Sequence, residues 1–526
     1  MPRGRYSNRS VMVHSFSEVP RANIPRSSFN RSNGFKFTFD ADYLYPILVD
    51  DIIPGDTFNV NCNFVVRLTS PTVLPLMDNM YVETFFFFVP YRLLWDNWEK
   101  FCGAQDDPSD SIDFTVPQVT GSFTAVGALY DYLGITTKAK PGGSISVSAF
   151  PSRAYNLIYN EWFRDQNLQD SLTVDTGNGP DSGGSYALVK RGKRHDYFTS
   201  CLPWPQKGTA VSLPLGVSAP IASTAADLVD IIVQDGVGSS NTDRLNAAST
   251  YLRGSTQQAG AVNLFADLSS ATPATINDIR LAFQTQRLLE RDARSGTRYV
   301  ETVLAHYGVT VPDFRVQRPE FLGGGTSKVN ISPVAQTTYQ GTQTIEDSKG
   351  ALSGVGVASG THGFTKSFVE HGILLGLINV RGDITYSQGV ERYFWKDTRY
   401  DFYYPVLSQI GEQSVSNKEL WVNGDANDDL VFGYQERYAE YRYKPSRLAG
   451  LMRPDAAGSL DAHHLSESFS TLPTLGDTFI QSNTGDPLDN AISVPSQPQF
   501  VCDMFFDMKC ARPMPLYGVP GNLDRF

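Results

Sequence analysis

The amino-acid sequence predicts a mainly β protein, an all-β sandwich or barrel interrupted by long loops and a few helices. Apolar and polar residues alternate over several short segments, which is the period of a strand with one buried face. Glycine and proline breaks separate these segments at the spacing of turns. Strand-like segments occur near both ends of the 526-residue chain, which favours one interrupted β domain over several domains in series.

The first strands follow a polar segment that contains several prolines. Phe35, Phe37 and Phe39 alternate in "GFKFTFDADYLYPILVD". The same alternation continues in "DTFNVNCNFVVRL", at Phe58, Val60, Cys62 and Phe64. The third strand is predicted in "MYVETFFFFVP".

Four consecutive phenylalanines make this third strand apolar on both faces. Phe85 and Phe87 point to one face, and Phe86 and Phe88 point to the other. A strand exposed to solvent on one side should carry polar residues there. The second face therefore needs a cover, which is either an inserted helix, such as one near residues 94–102, or a neighbouring subunit.

Strands are predicted again after about residue 308. The segments are "GILLGLINVRGDITYSQG", "KELWVNG", "ERYAEYRYKPSRLAG" and "QFVCDMFFDMKC", the last followed by an extended tail rich in proline and glycine.

Two longer helices are predicted between the strands. Apolar residues recur at helical spacing in "PSRAYNLIYNEWFRDQNL", where Ser152 is the predicted N-cap. A second amphipathic helix is predicted in "INDIRLAFQTQRLLERDARSGTRY", and Gly296 is expected to end it.

Residues 207–275 differ in composition from the rest of the chain. Small and polar residues dominate there and aromatic residues are scarce, which is typical of an exposed insertion. A small separate domain is the alternative, but so few large apolar residues could hardly form a core.

Charge is distributed unevenly along the chain. The formal net charge is −11, but residues 1–31 contain six arginines and a single acid, so the remaining residues carry −16. A basic arm on an acidic body often contacts a polyanion. A solvated flexible terminus is the alternative.

The composition also limits the compartment and the chemistry. The five cysteines are scattered, which predicts reduced thiols rather than disulfides or a zinc site. "MPRGRYSNRSVMVHSF" has no signal-peptide core and no segment approaches membrane-helix length, so we expect synthesis in a cytoplasm. "SGVGVASG" does not fit a dinucleotide fingerprint, and "GGGTSK" is predicted to be a loop rather than a phosphate-binding site. We expect no enzyme activity, no cofactor and no metal site.

Several long segments resemble one family. "MDNMYVETFFFFVPYRLLWDNWEKFCG", "PSRAYNLIYNEWFRDQNLQD", "KRGKRHDYFTSCLPWPQKG" and the closing "RPMPLYGVPG" are similar to the major capsid protein of the Microviridae, of gokushovirus type. The resemblance extends from about residue 14 to the end of the chain.

The resemblance implies an eight-stranded antiparallel jelly-roll β-sandwich with long loop and helical insertions. It implies a virion protein, assembled in the bacterial host cytoplasm, of which about sixty copies form an icosahedral (T=1) shell. The implied partners are an internal scaffolding protein, a DNA pilot protein, a small basic DNA-packaging protein, the circular ssDNA genome and a host cell-surface receptor.

The predicted division of the chain follows the same resemblance. It comprises an N-terminal arm (1–34), a jelly-roll core (35–206 and 276–510), a variable insertion that forms a threefold protrusion (207–275) and a C-terminal tail (511–526). The residues expected in the protrusion are Leu228, Ile231, Ile232, Leu245 and Leu252.

Two further sets of site residues are predicted. DNA contacts are expected from Arg3, Arg5, Tyr6 and Arg9, whose side chains can neutralise phosphates or stack on bases. Contacts with neighbouring subunits are the alternative for these arginines. The predicted subunit-interface residues are Phe86, Phe88, Arg21, Arg26, Arg31, Pro513 and Tyr517.

Two other functions remain open at this point. A secreted carbohydrate-binding or carbohydrate-cleaving β-sandwich would require a signal peptide and exposed aromatic residues over an acid pair. A cytoplasmic DNA-binding protein would require a basic body, whereas this body is acidic.

Overall fold

A computed structural model describes residues 25–138, 143–209, 211, 221–223, 264–266, 276–294, 299–308, 316–337 and 350–517. The described residues are mainly β. No helix among them is long and apolar enough to cross a membrane.

The strands are β1 (Ser27–Asn30), β2 (Asn33–Phe39), β3 (Tyr45–Ile52), β4 (Thr57–Leu68), β5 (Met80–Pro90), β6 (Gln118–Gly121), β7 (Ile145–Ser148), β8 (Asp181–Ser182), β9 (Ile221–Ser223), β10 (Leu264–Ala266), β11 (Glu320–Ala335), β12 (Leu352–Ser367), β13 (Gly372–Gly382), β14 (Glu412–Ser416), β15 (Val431–Glu436) and β16 (Phe500–Arg512). The α-helices are α1 (Trp98–Phe101), α2 (Leu129–Tyr132), α3 (Phe150–Ile158), α4 (Ile276–Arg294), α5 (Tyr299–Tyr307), α6 (Asp477–Ile480) and α7 (Gly485–Ala491).

Eight of these strands form two antiparallel four-stranded layers. One layer has the order β2–β16–β4–β12 and the other has the order β3–β13–β5–β11. Strand β11 joins the layers, because residues 320–329 pair with β5 and residues 330–335 pair with β12. This strand order is that of a jelly roll, so the expected eight-stranded fold is confirmed. Strand β1 adds a ninth strand beside β16.

The alternation seen in the sequence matches the burial of the strands. In β4, Phe58, Val60, Cys62 and Phe64 are buried while the residues between them are exposed. The first core cluster lies between the two layers and combines these residues with Cys502, Met504 and Phe506 of β16. Four of the five cysteines are buried thiols, and Cys102 is exposed.

The chain itself covers both faces of the phenylalanine strand. Phe86 and Phe88 belong to the first core cluster. Phe87 and Val89 belong to a second cluster on the outer face of the same layer. Helix α3 and Trp95 cover that face together with other residues of the insertion, such as Val119 and Tyr130, so the inserted-helix alternative is correct.

Helix α3 continues directly into a π-helical turn, Tyr159–Phe163. The rings of Trp162 and Phe163 in this turn lie 5.7 and 5.9 Å from the ring of Phe87. The buried Arg153 anchors the helix through two hydrogen bonds to Asp181, of 2.6 and 2.8 Å.

Several local predictions are wrong. Ser152 lies inside α3, and the N-cap is Ala149. The helix expected over residues 94–102 is reduced to the single turn α1. "KELWVNG" and "ERYAEYRYKPSRLAG" form turns rather than strands, whereas "GGGTSK" lies inside β11 and not in a loop. The long helix predicted from residue 276 is confirmed as α4, and Gly296 lies outside the described residues.

The chain divides into two compact units. The larger unit contains the sandwich and its insertions, and the smaller unit is Trp204–Val311. In the described residues of the smaller unit, β9 and β10 form a hairpin in which Ser223 pairs with Leu264. His306 of α5 bonds Asp292 of α4 at 2.6 Å. The predicted insertion, 207–275, falls within this unit.

The cover over Phe87 can be tested by mutation. Phe87→Ala should lower the free energy of unfolding by about 3–5 kcal/mol, because it opens a cavity under α3. Phe85→Ala, at a half-buried neighbour on the same face, should cost only about 1–2 kcal/mol. Urea denaturation of the unassembled chain measures both values. Equal losses would show that Phe87 is not enclosed by its own chain.

Candidate assembly surface

The burial of Phe86 and Phe88 corrects their predicted role at a subunit interface. Phe86 is 0% exposed and Phe88 is 3% exposed in the single chain. Because the two layers of the same chain already enclose both rings, a neighbouring subunit has no access to them. A surface for assembly must therefore be found elsewhere.

Two predicted arm residues contact their own chain. Arg31 forms a bidentate pair with Asp50 of β3, at 2.5 and 2.9 Å. Arg26 donates to the Thr57 hydroxyl at 2.8 Å. Strand β1, between them, pairs with the end of β16. The last residues of the arm are thus fixed on the sandwich, and an interface role for Arg26 and Arg31 stays a prediction.

The predicted tail residues differ in exposure. Pro513 packs beside Gly55, whose φ of +92° lies in the left-handed region that favours glycine. Tyr517 is 79% exposed, and Met514 and Leu516 are also exposed. The remaining predicted site residues lie outside the described residues: Arg3, Arg5, Tyr6, Arg9, Arg21, Leu228, Ile231, Ile232, Leu245 and Leu252.

An exposed aromatic surface, which the sequence analysis missed, is formed by the segments that follow strands β13 and β15. Its members are eight side chains that are each between 39% and 66% exposed: Tyr393, Phe394, Tyr400, Phe402, Tyr403, Tyr404, Tyr441 and Tyr443. Surface patches of this kind mark sites of interaction. In the sequence, this surface is marked by a high density of aromatic residues and not by a periodic apolar pattern. Seven of the twelve residues 393–404 are aromatic.

Cationic side chains lie over several of these rings. The Lys396 ammonium is 4.0 Å from the centre of the Tyr441 ring, and the Arg399 guanidinium is 5.3 Å from that of Tyr404. Aromatic residues together with arginine are the composition that protein interfaces favour.

Local hydrogen bonds fix the loops that carry this surface. Asp401 accepts bonds from the Thr398 amide and hydroxyl at 2.8 and 2.7 Å, and these bonds lower the pKa of Asp401. Tyr438 adopts φ +62°, which is rare for an aromatic residue. Its amide donates to Gln413 at 3.0 Å, and its hydroxyl donates to the Tyr400 carbonyl at 3.2 Å.

A third core cluster underlies the aromatic surface and is built on Tyr197, Phe198, Phe432 and Phe479. Beside it, Lys193 is buried, bonds Glu467 at 2.6 Å and lies 4.2 Å from the centre of the Phe479 ring. Burial raises the pKa of Glu467, although Lys193 opposes this shift.

Glu83 of β5 fixes the segment that leads into this cluster. Its carboxylate pairs with Arg381 of β13 at 2.8 Å and also contacts Arg191 and Arg194. Burial alone would raise the pKa of Glu83, but attraction to Arg191 and Arg381 outweighs it and lowers the pKa. One buried carboxylate thereby holds three arginines from two parts of the chain.

A cavity of about 440 Å³ opens between the third cluster and the aromatic surface. Its walls include Tyr393, Phe394, Tyr441 and Tyr443. Arg392 bonds Glu419 at 2.9 Å on its floor. Burial raises the pKa of Glu419, although Arg392 opposes this shift.

Comparisons with known proteins agree along almost the entire chain. Residues 17–522 match the family described as "Capsid protein (F protein)". The capsid protein VP1 of Bdellovibrio phage phiMH2K is 46% identical over 531 aligned residues, which cover 98% of each chain. Capsid protein VP1 of Chlamydia phage 1 is 42% identical, over 97% of this chain and 98% of that one. Capsid protein VP1 of Spiroplasma virus 4 is 34% identical, over 98% and 99%.

Removing the Glu83 charge tests its role beneath this surface. Glu83→Gln leaves three arginines without their shared partner and should cost about 3–5 kcal/mol of stability at pH 7. Because folding lowers the pKa of Glu83, the stability it contributes is fully present above the unfolded pKa of about 4.3 and is lost as pH falls through the lower pKa of the folded state.

Urea denaturation at pH 7 and at pH 3.5 measures this difference. The control is Asp429→Asn, which removes a carboxylate that is 78% exposed and pairs with Lys418, and it should change stability by no more than about 1 kcal/mol. A Glu83→Gln effect as small as the control's at pH 7 would contradict the role assigned to Glu83.

Proposed function

Because the chain belongs to the phage capsid protein (F protein) family, we propose that about sixty copies of it close an icosahedral T=1 shell around a circular single-stranded DNA genome. Membership confirms the resemblance to the Microviridae capsid protein, and it implies a structural role, a shell built from copies of the chain and a place in the virion. The match over residues 17–522 carries the proposal, because it spans every strand of the jelly roll.

The exposed aromatic surface supports assembly from many copies. A monomeric protein rarely leaves eight neighbouring aromatic side chains in solvent. Contact with another copy would remove them from water at a favourable free energy of about 25 cal/mol per Å². Exposed rings would also suit a carbohydrate site, so it is the family match over residues 17–522 that favours a shell subunit over the carbohydrate-binding alternative, and the acidic body that disfavours the DNA-binding one.

The insertion at residues 207–275 is proposed as a protrusion at the threefold axes that contacts a receptor on the host cell. Its composition supports exposure, since small and polar residues dominate and few large apolar residues are present. Three copies would share Leu228, Ile231, Ile232, Leu245 and Leu252 to form a common core. The other proposed boundaries are those of the arm (1–34), the core (35–206 and 276–510) and the tail (511–526).

The remaining partners are proposed from the family. They are an internal scaffolding protein, a DNA pilot protein and a small basic DNA-packaging protein, and assembly is proposed to occur in the host cytoplasm. Because residues 32–526 carry a net charge of −16, the packaging protein would neutralise most of the genome. Arg3, Arg5 and Arg9 would add secondary phosphate contacts, and Tyr6 would stack on a base.

Expression followed by electron cryomicroscopy tests the shell. The chain, co-expressed with the phage's scaffolding protein, should yield closed particles that contain about sixty copies. A product that stays monomeric in sedimentation velocity under these conditions would contradict the proposal.

The attachment role can be separated from assembly by a designed deletion. Since Ser223 pairs with Leu264 across β9 and β10, an Asn-Gly turn can replace residues 224–263 and keep the hairpin closed. Particles of this variant should form as efficiently as wild-type particles but should lose adsorption to host cells. The control replaces residues 338–349, between β11 and β12, with the same turn. Unchanged adsorption after the first deletion would rule out the attachment role.

The aromatic surface can be tested in the same system. Phe402→Ser together with Tyr404→Ser should reduce the yield of particles at least about tenfold, because an interface loses two aromatic contacts. Thermal unfolding of the free chain measures how much of the loss comes from stability, since Phe402 and Tyr404 are 47% and 39% exposed and the rest of each side chain packs on its own chain. Val369→Ser, at an isolated residue that is 85% exposed, is the matched control. Normal particle yield from the double variant would show that this surface lies outside the shell contacts.

A further inference from the structure

The cavity beneath the aromatic surface carries an excess of positive charge. Five cationic residues line it: Arg392, Lys396, Lys444, Arg447 and Arg453. Three carboxylates, those of Glu391, Glu419 and Glu440, also line it. The lining therefore has a formal charge of +2.

The ion pairs show where this excess lies. Glu440 pairs with Lys396 at 3.3 Å, deep in the wall. Glu391 is shared by two largely exposed cations, Lys444 and Arg447. Arg453 donates to the backbone carbonyl of Ser387 at 3.0 Å. The surplus cations are thus at the mouth of the cavity.

A buried polar atom inside the cavity also lacks a partner. Ser387 lines the cavity and is 6% exposed, and its hydroxyl has no hydrogen bond. An unsatisfied buried hydroxyl costs about 1–3 kcal/mol. An occupant with acceptor oxygens would satisfy this group as well as the cations.

The chain carries a complementary element in residues 105–113, here called the acidic loop. It contains four aspartates and the half-exposed Ile112. The Asp110 carboxylate shapes the loop by accepting bonds from Lys100 and from the amides of Asp106 and Asp107, at 3.2, 3.3 and 3.4 Å. Asp106 is left 89% exposed, and Asp107 and Asp113 are exposed as well.

The acidic loop and the cavity lie at opposite ends of the sandwich. The loop follows the Pro90 end of β5, where Trp98 packs 5.5 Å from His371. The cavity segment follows Gly382, which pairs with Met80 at the other end of β5. Eleven strand residues span about 33 Å, so the loop cannot reach the cavity of its own chain.

We propose that the acidic loop of one copy binds in the cationic aromatic cavity of the next copy. The inference rests on the proposed shell and names one of its contacts. A contact between different surfaces of identical chains repeats head to tail and closes a ring about a rotation axis. Ile112 packs against the aromatic walls, and Asp106 and Asp107 pair with the cations at the mouth.

A charge swap in the full-length chain tests this contact. One variant carries Asp106→Lys and Asp107→Lys, a second carries Lys444→Glu and Arg447→Glu, and a third carries all four changes. Each double variant should weaken self-association at least about tenfold in sedimentation velocity, because like charges then meet. The four-change variant should recover to within about threefold of wild type, because the pairs are restored in reverse. Circular dichroism and thermal unfolding check that each variant is folded.

Controls separate this contact from general charge effects and from the shell itself. Arg67→Glu with Lys328→Glu makes the same charge change at exposed residues of β4 and β11 and should leave self-association near wild type. If wild type forms shells and the double variants do so equally well, the contact is refuted and the shell stands. If wild type never self-associates, both are refuted.

A single-stranded nucleic acid could also use cations and stacked rings, and the same variants distinguish it. Fluorescence anisotropy with a labelled oligo(dT) of twenty nucleotides measures binding to the wild-type chain and to Lys444→Glu/Arg447→Glu. Loss of oligonucleotide binding with unchanged self-association would assign the cavity to nucleic acid and overturn the proposal. Loss of self-association with rescue by the four-change variant would support it.

Discussion

The two-sided burial of the β3–β13–β5–β11 layer is the constraint on which the rest of the structure depends. Side chains that alternate along β5 and β13 pack in two different core clusters, one between the layers and one on the outer face. Both faces of this layer must therefore be covered. The long insertion between β5 and β11 therefore forms part of the fold, because α3 and Trp95 complete the second core. The insertion carries buried charge as well, and Arg153 is fully enclosed with Asp181 as its partner. Removing one member of such a pair is far more costly than removing an exposed pair, so the position of α3 is strongly specified.

The same layer fixes the position of the assembly surface. Glu83 lies on β5, and its contacts with Arg191 and Arg194 hold the segment before Tyr197 against the sheet. Tyr197 in turn bonds Glu419, and Glu419 bonds Arg392, just before the exposed aromatic residues. The Glu83–Arg194 pair, the short backbone segment from Arg194 to Tyr197 and the Tyr197–Glu419–Arg392 contacts thus link the outer face of β5 to the cavity. A subunit contact made through this cavity would be positioned by the core and not by flexible loops.

The regular spacing of apolar residues explains which parts of the fold could be predicted from the sequence. Strands β4, β5, β13 and β16 and helices α3 and α4 have long, regular apolar patterns, and the sequence analysis found all of them. The segment from Arg392 to Tyr443 has no such pattern, because, apart from the short β14–β15 hairpin, turns and side-chain hydrogen bonds organise it. The interface prediction for Phe86 and Phe88 failed for a related reason. Apolar residues on two faces show that a cover exists, but they do not show which chain supplies it. The aromatic surface was missed because exposure depends on contacts between residues distant in the sequence.

The edge of β11 indicates how copies of this chain can and cannot meet. Residues 330–335 pair with β12 along one side, and among the described residues no strand pairs with their other side. Gly354, which lies opposite Pro333, forms both of its backbone hydrogen bonds with Thr72. The N–H and C=O groups of Gly354 therefore point away from β11. Pro333 and Gly354 are therefore a non-hydrogen-bonded pair, and the missing N–H of Pro333 faces the open edge. Proline at this position interrupts the row of donors that an added strand would need. Side-chain contacts of the kind the aromatic surface offers are consequently favoured over strand addition as the means of joining one copy to another at this edge.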